Sequence, residues 1–261
     1  MVESATGSPA NGGADELRAF YDAGYTAADP AEGERFGRWR ALGARGKAAH
    51  VAVLCERAGL VPRSVVEIGC GDGALLLALA MRATGSVIDG FDLSPEAAAL
   101  AREKRVAAVR RVEAYDGAHV PAPEDAYDLA VLSHVLEHVP DPVPLLREAA
   151  RVAPRVIVEV PLEANRSAAR PNKRAEAARI GHLHAFDRAT VRSLCTAAGL
   201  RVVAELTDPL PLEHHAFFAD TAAERARAAI KTAVRRTAFR AAPRRAERWF
   251  TVHYACLTER C

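Results

Sequence analysis

The sequence predicts an α/β fold: a seven-stranded, mostly parallel sheet with helices on both faces and an antiparallel edge strand. Three observations predict it. Short β-branched runs alternate with helix-period segments from about residue 64 onward, the pattern of a parallel sheet covered on both sides. The first run ends in a glycine-rich junction, Gly69-Cys70-Gly71-Asp72-Gly73, which opens a helix. A chain of 261 residues with 50% hydrophobic side chains fits one elaborated domain better than two full ones.

Taken in order, residues 1–14 are rich in Gly, Ser, Ala and Asn and are expected to form a flexible tail. Residues 15–59 read as a helical N-terminal cap, with Ala48, Val51, Val53, Leu54 and Ala58 spaced for a helix lying on a sheet and Gly59 and Pro62 closing it. Residues 60–261 read as the main domain. Its strands are expected at 64–69, 87–93, 110–116, 127–135, 155–161, 200–208 and 248–257. Helices are expected at 73–83, 94–105 and 187–200, the second with Ser94 as N-cap and Pro95 at its first helical position. The last two strands lack a short crossover, which suggests the antiparallel edge. Two segments, at about 161–186 and 209–248, remain as insertions.

Lys and Arg total 35 against 33 Asp and Glu, a net charge of +2, which argues against generic polyanion binding on bulk charge. The five cysteines form no CxxC pair and read as reduced, mostly buried thiols. The N-terminus lacks a basic start and an apolar core, and no apolar run approaches the roughly 18 residues of a membrane span. A cytoplasmic protein, monomeric or homodimeric, is expected.

The junction after the first strand carries the function. Its glycines let the backbone turn tightly and approach a ligand, and the helix it opens offers free N–H groups. Asp92, at the end of the second strand, stands where a carboxylate can take two ribose hydroxyls. This is a nucleoside site. Residues 69–74 also satisfy GxGxxA, so the glycines alone admit NAD. The runs VVEIGCGDGALL, GFDLSPEAAALAREK, DAYDLAVLSHVLEHVPDPVPLLREAARV and VIVEVP decide otherwise. Over residues 60–208 they resemble the class I S-adenosylmethionine-dependent methyltransferases, a Rossmann-like fold, and within them the small-molecule branch that includes ubiquinone-pathway enzymes.

The resemblance implies roles. Glu67, Gly69, Cys70, Gly71 and Gly73 would surround the methionine part of S-adenosylmethionine. Asp92 would hold the ribose, Leu93 would cover the adenine, and Asp116 with Gly117 would lie at its amino group. Ser133 and His134 would flank the methionine moiety. The segment FYDAGY resembles the family's lid, making Tyr21, Tyr25 and Arg38 candidates to close over the cofactor; exposed tips of an amphipathic helix are the alternative.

Methyl transfer asks for in-line positioning, exclusion of water and, for an acceptor that loses a proton, a base. Histidine suits that role, and His134, His182 and His184 are the candidates. No metal is assigned. The run His134-Val135-Leu136-Glu137-His138 nevertheless departs by one residue from the Glu-x-x-Glu-His metal motif of some relatives, and His182 could complete a ligand set. Both insertions are basic: the first holds Arg166, Arg170, Lys173 and Arg174, and the second Arg225, Arg227, Lys231, Arg235, Arg236, Arg240, Arg244, Arg245 and Arg248. They read as a solvated face or as a site for a phosphorylated acceptor, with nucleic acid disfavoured because stacking aromatics are sparse. The resulting expectation is O-methylation of a small molecule in specialised metabolism, giving S-adenosylhomocysteine as product. The alternatives are an S-adenosylmethionine-binding protein without methyl transfer, or an RNA methyltransferase using the basic C-terminal segment.

Overall fold

The structure is a computed structural model, and it describes residues 17–20, 22 and 30–261. The expected tail, Tyr21 and Tyr25 lie outside the described residues.

Seven strands form one sheet in the order β3-β2-β1-β4-β5-β7-β6. They are β1 (Ser64–Ile68), β2 (Val87–Asp92), β3 (Val109–Ala114), β4 (Leu129–Ser133), β5 (Arg155–Pro161), β6 (Leu200–Asp208) and β7 (His253–Arg260). β1 to β5 run parallel. β7 runs antiparallel to both β5 and β6, so the last two strands make the antiparallel edge of the sheet, with β7 one place in from the end.

Alternation along the central strands supplies two cores. Val66 and Ile68 of β1 and Ala130 and Leu132 of β4 face one side, packing on Leu145, Leu146 and Ala149 of α4 (Pro142–Val152) and Val191 and Cys195 of α6 (Arg188–Ala197). Val65, Leu129 and Val131 face the other. They pack on Ala48, Val51 and Leu54 of α1 (Pro30–Arg57), Leu75, Leu76 and Leu79 of α2 (Ala74–Met81), and Ala98 and Ala101 of α3 (Pro95–Glu103). Side chains of period two on strands buried on both faces explain why these runs are almost wholly apolar. In α1, Val53 is half-buried and Ala58, just past the helix, is exposed, so the buried stripe is Ala44, Ala48, Val51, Leu54 and Cys55.

The helix starts follow local chemistry. Ser94 Oγ accepts from Ala97 N at 3.1 Å with Pro95 following, and Asp187 Oδ1 caps α6 through Thr190 N. Strand β7 begins later than its β-rich sequence suggests. Trp249 N and Phe250 N donate to Ala246 O, continuing the turn of α9 (Pro243–Ala246), so the ladder starts at His253. The insertion after β5 contains α5 (Pro171–Arg179). The one after β6 contains α7 (Leu212–Ala216), α8 (Ala222–Ala241, opened by a Thr221–Glu224 capping box) and α9. Four of the cysteines are buried and Cys261 is exposed, all as free thiols. No described helix is long and apolar enough to cross a membrane.

Strand order reverses between β1 and β4, and ligands of open α/β sheets bind outside the carboxyl ends of the strands at such a reversal. The glycine junction follows β1 there, and Ser133 and His134 end β4 beside it.

Candidate active site

A cavity of about 470 Å³ opens at this reversal, within the size range of small-molecule sites. Its floor is the junction Gly69-Cys70-Gly71-Asp72 with Glu67 beneath, one wall is Ser133 and His134, and α1 forms a roof through Trp39, Arg40, Gly43, Ala44 and Lys47. Glu163, His182, His214 and His253 close the far side.

Backbone geometry explains the junction. Gly69 has φ +81°, and a Cβ there would lie 2.4 Å from Val135 Cγ2. Gly73 has φ +75°, and a Cβ would lie 2.8 Å from Ala101 Cβ, so this glycine lets α2 pack on α3. An L side chain is excluded twice over, by conformation and by space. Asp92 ties the junction to the second strand: its Oδ2 accepts from Gly71 N at 2.7 Å and its Oδ1 from Ser94 N at 2.9 Å. A carboxylate has about four lone-pair sites, so two remain for a diol. Burial raises the Asp92 pKa against the pull of these N–H donors. Leu93 Cδ1 would be 3.1 Å from a Cβ on Gly117, which places the two together at the end beyond Asp92; like Asp92 and Asp116, they are not among the residues lining the cavity. Asp116 is exposed, and its Oδ1 accepts from Ala118 N and His119 N, shaping the turn there. Ser94 Oγ donates to Asp22, which brings the N-terminal segment against this end.

Three buried polar atoms on the cavity wall have no hydrogen-bond partner among the described residues: Glu67 Oε2, Ser133 Oγ and His134 Nε2. Burial pushes the Glu67 carboxyl well above its usual range, against the attraction of Lys47. Orphaned groups of this kind are costly in a closed core and mark a surface made for a polar ligand. A buried carboxyl group beside backbone N–H groups suits a zwitterionic amino-acid end, whose ammonium would favour the ionised Glu67 and whose carboxylate would meet the N–H donors.

His134 sits at φ +59°, a strained position for a non-glycine residue, directly after β4. Burial, with the positive Lys47 and His253 nearby, holds its pKa well below the usual histidine range. Its Nδ1 is 3.1 Å from Glu137 Oε1. His182 is different. Its Nδ1 lies 2.7 Å from Glu163 Oε2, and although burial favours the neutral ring, the Glu163 hydrogen bond and charge outweigh it and raise the pKa. With Nδ1–H donated to Glu163, Nε2 is the acceptor nitrogen.

Two corrections follow. Arg38 does not line the cavity: it is exposed and pairs with Glu34 at 2.7 Å on the outer face of α1. Two residues are 200° of helix rotation, so the roof falls to Arg40, whose Nε donates to Asp72 Oδ2 at 2.9 Å, and to Lys47. His184 does not line it either; its ring stacks on Phe186 and its Nε2 donates to Val139 O at 2.9 Å. The spacing Arg40, Gly43, Ala44, Lys47 was the available signal for the roof, being i, i+3, i+4, i+7 on one face.

A group missed in the sequence lies behind His134. Glu159, buried on β5, has Oε1 3.2 Å from both His50 Nδ1 and His253 Nδ1, and His50 Nε2 is 3.2 Å from Asp208 Oδ2. His50, Glu159, Asp208 and His253 are far apart in sequence, and the sheet order with the packing of α1 on the sheet brings them together. Two sets of donor atoms lie within 4.8 Å of one another and could hold a metal: His134, Glu159 and His253, and Glu137, His138 and His182.

Comparison with known proteins agrees with this geometry. Residues 32–205 match the family model described as a methyltransferase domain. The chain belongs to this methyltransferase family, and its fold is that of the class I, Rossmann-like S-adenosylmethionine-dependent enzymes. Among solved structures it is similar to geranyl diphosphate C-methyltransferase from Streptomyces coelicolor A3(2), at 16% identity and TM-score 0.62 over 95% of this chain and 98% of that one. It is also similar to magnesium protoporphyrin IX methyltransferase from Synechocystis PCC 6803, at 14% identity and TM-score 0.60 over 95% and 99%. The cyclase SpnF matches at 19% identity and TM-score 0.56 over 82% and 81%. No curated protein matches.

Proposed function

We propose that the chain transfers a methyl group from S-adenosylmethionine to an oxygen of a small molecule in specialised metabolism, with His182 as the base and Glu163 positioning it. The observation that carries the reading is the shared cavity: the His182–Glu163 pair opens onto the same space as the glycine junction and the orphaned Glu67, Ser133 and His134 atoms.

Glu67 and the junction N–H groups would hold the amino-acid end of the cofactor, Asp92 the ribose, and Leu93, Asp116 and Gly117 the adenine end. Helix α1 with its Arg40 and Lys47 acts as the cap. The bound sulfonium supplies an electrophilic methyl group: the C–S bond breaks with its electron pair going to sulfur, and an O–CH3 bond forms. His182 Nε2 takes the acceptor's proton, and Glu163 stabilises the imidazolium that results. His134, held neutral, offers Nε2 as a hydrogen-bond acceptor on the cavity wall. The roof of α1 excludes water from the space between them. The solved neighbours that bear on this reading act, by their names, on geranyl diphosphate and magnesium protoporphyrin IX, which supports a small acceptor.

The direct test is incubation of purified protein with S-adenosylmethionine and candidate acceptors, read by mass spectrometry for a gain of one methyl group. A metal-assisted second reading is favoured by Glu137, which is fully buried with neither carboxylate oxygen hydrogen-bonded among the described residues, beside His138 and His182. Chelation separates the two. EDTA leaves turnover intact if His182 acts as a base alone, and abolishes it, with recovery on adding a divalent metal, if the second reading holds.

A further inference from the structure

We infer that the acceptor is a phosphorylated small molecule, its phosphate held in a basic cavity that adjoins the cofactor cavity. The inference rests on the methyl-transfer reading and names the acceptor's class. The second cavity has a volume of about 890 Å³ and shares Glu163, Ile180 and Thr251 with the first, so one molecule can reach from it to the His182–Glu163 pair. It forms where the two insertions meet. Arg170, Lys173 and Arg174 come from the start of α5, Lys231 and Arg235 from α8, and Arg248 from the turn after α9.

Positive charge there is only partly compensated. The carboxylates among the described lining residues are Glu163 and Glu176, and these are engaged by His182 and Lys173. Arg235 is the decisive residue. It is 5% exposed, one of its terminal N–H groups donates to the Thr251 carbonyl, and its Nε has no partner among the described residues. Burial lowers its pKa, as expected for a desolvated cation with no carboxylate to offset it. Lys231 is lowered too, by burial and by the positive Arg235, Lys173 and Arg170 facing it. A buried guanidinium held among other cations is stabilised by an anion in the space between them. Arginine's fixed fork of donors fits phosphate oxygens, and a phosphate ester with close to two negative charges answers such a cluster better than a single carboxylate. The aromatic rings beside the cations are Trp249 and Phe250, and these face the Arg166 and Arg235 guanidiniums, so neither is a free stacking platform for successive bases among the described residues. The chemistry favours a compact phosphorylated molecule over a polynucleotide.

The test uses full-length protein saturated with S-adenosylhomocysteine and titrated calorimetrically with inorganic pyrophosphate. Pyrophosphate is expected to bind the wild type, and Arg170→Ala combined with Lys231→Ala to weaken it by at least about tenfold while S-adenosylhomocysteine affinity stays unchanged. These rim residues carry the test because Arg235→Ala is buried and risks misfolding; Arg235→Lys, which keeps the charge and loses the fork, is expected to weaken pyrophosphate with the thermal midpoint retained. Normal S-adenosylhomocysteine binding with no pyrophosphate binding at millimolar concentration, or with binding the double variant leaves unchanged, overturns the inference and leaves the methyl-transfer reading standing. Tighter binding of a single-stranded RNA than of pyrophosphate, lost in the same variants, overturns it in favour of a polymer. Failure of S-adenosylhomocysteine itself to bind removes the reading on which it rests.

Discussion

Turnover that relies on His182 must depend on pH in a particular direction, because the base works only when neutral. Its pKa is raised above the ordinary 6.5 by Glu163, so kcat/KM should climb with pH through a limb lying above 6.5. Glu163→Gln removes the raising partner, and the limb should move to lower pH while kcat falls. A limb that stays in place would show that Glu163 does not position the base. His182→Ala should lower kcat by roughly 10²–10⁴ with cofactor affinity nearly intact, measured by single-turnover kinetics beside calorimetry. At this scale the sequence was partly legible. Glycines, Asp92, Ser133 and His134 could be located because they sit in one contiguous motif or at strand ends. His182 and His184 flank Leu183 in an irregular loop, where no periodicity tells which imidazole faces the cavity.

Helix α1 and the junction act as one element through the Arg40–Asp72 pair, with Lys104 3.6 Å from the same carboxylate. Asp92 holds the other side of the junction through Gly71 N and Ser94 N. Asp92→Ala should therefore weaken S-adenosylhomocysteine by about 1.5–3 kcal/mol, part of it through loss of the ribose contact and part through loosening of the loop. Asp92→Asn keeps one acceptor oxygen and should lose less; equal losses in the two variants would show that negative charge, not loop geometry, is what matters. The central strands β1, β4 and β5 were readable because burial on both faces makes them largely apolar runs, and α3 because Ser94-Pro95 announces its start. The roof of α1 was readable in principle from the spacing of Arg40, Gly43, Ala44 and Lys47. Arg38, expected in the lid, lies on the outer face. The late start of β7 was hidden because Trp249, Phe250 and Thr251 have strand propensity that the preceding turn overrides.

Across the whole molecule, His50 joins α1 to β5 and β6. Burial disfavours its charged ring, but the hydrogen bonds to Asp208 and Glu159 outweigh that and raise its pKa to about 9. The sign is that of a cation stabilised by folding: the contribution is complete below pH 6.5 and fades as pH rises through about 9. The thermal midpoint should therefore fall between those values, and His50→Gln should flatten that part of the curve; an unchanged slope would mean that the ring is neutral throughout. A second anchor is Asp89, fully buried on β2, which accepts from Arg111 Nε at 3.0 Å and Tyr127 OH at 2.6 Å. Asp89→Ala leaves Arg111 and the Tyr127 hydroxyl without their acceptor, and because the Arg111 side chain is 31% exposed the cost in denaturant unfolding should be about 1–3 kcal/mol. Neither network was visible in the sequence, since each joins residues brought together only by tertiary packing: α1 on β5 and β6 for His50, and neighbouring strands for Asp89. The fold class was visible because it rests on local alternation.

The central claim is that the glycine junction and Asp92 bind S-adenosylmethionine for methyl transfer. It is tested most directly by calorimetric titration of S-adenosylhomocysteine, and separately of NAD, into the wild type and Asp92→Ala. Saturable binding of S-adenosylhomocysteine is expected, with no binding of NAD and a loss of at least about tenfold in the variant. Wild-type affinity retained in Asp92→Ala, or binding of NAD in place of S-adenosylhomocysteine, would contradict it.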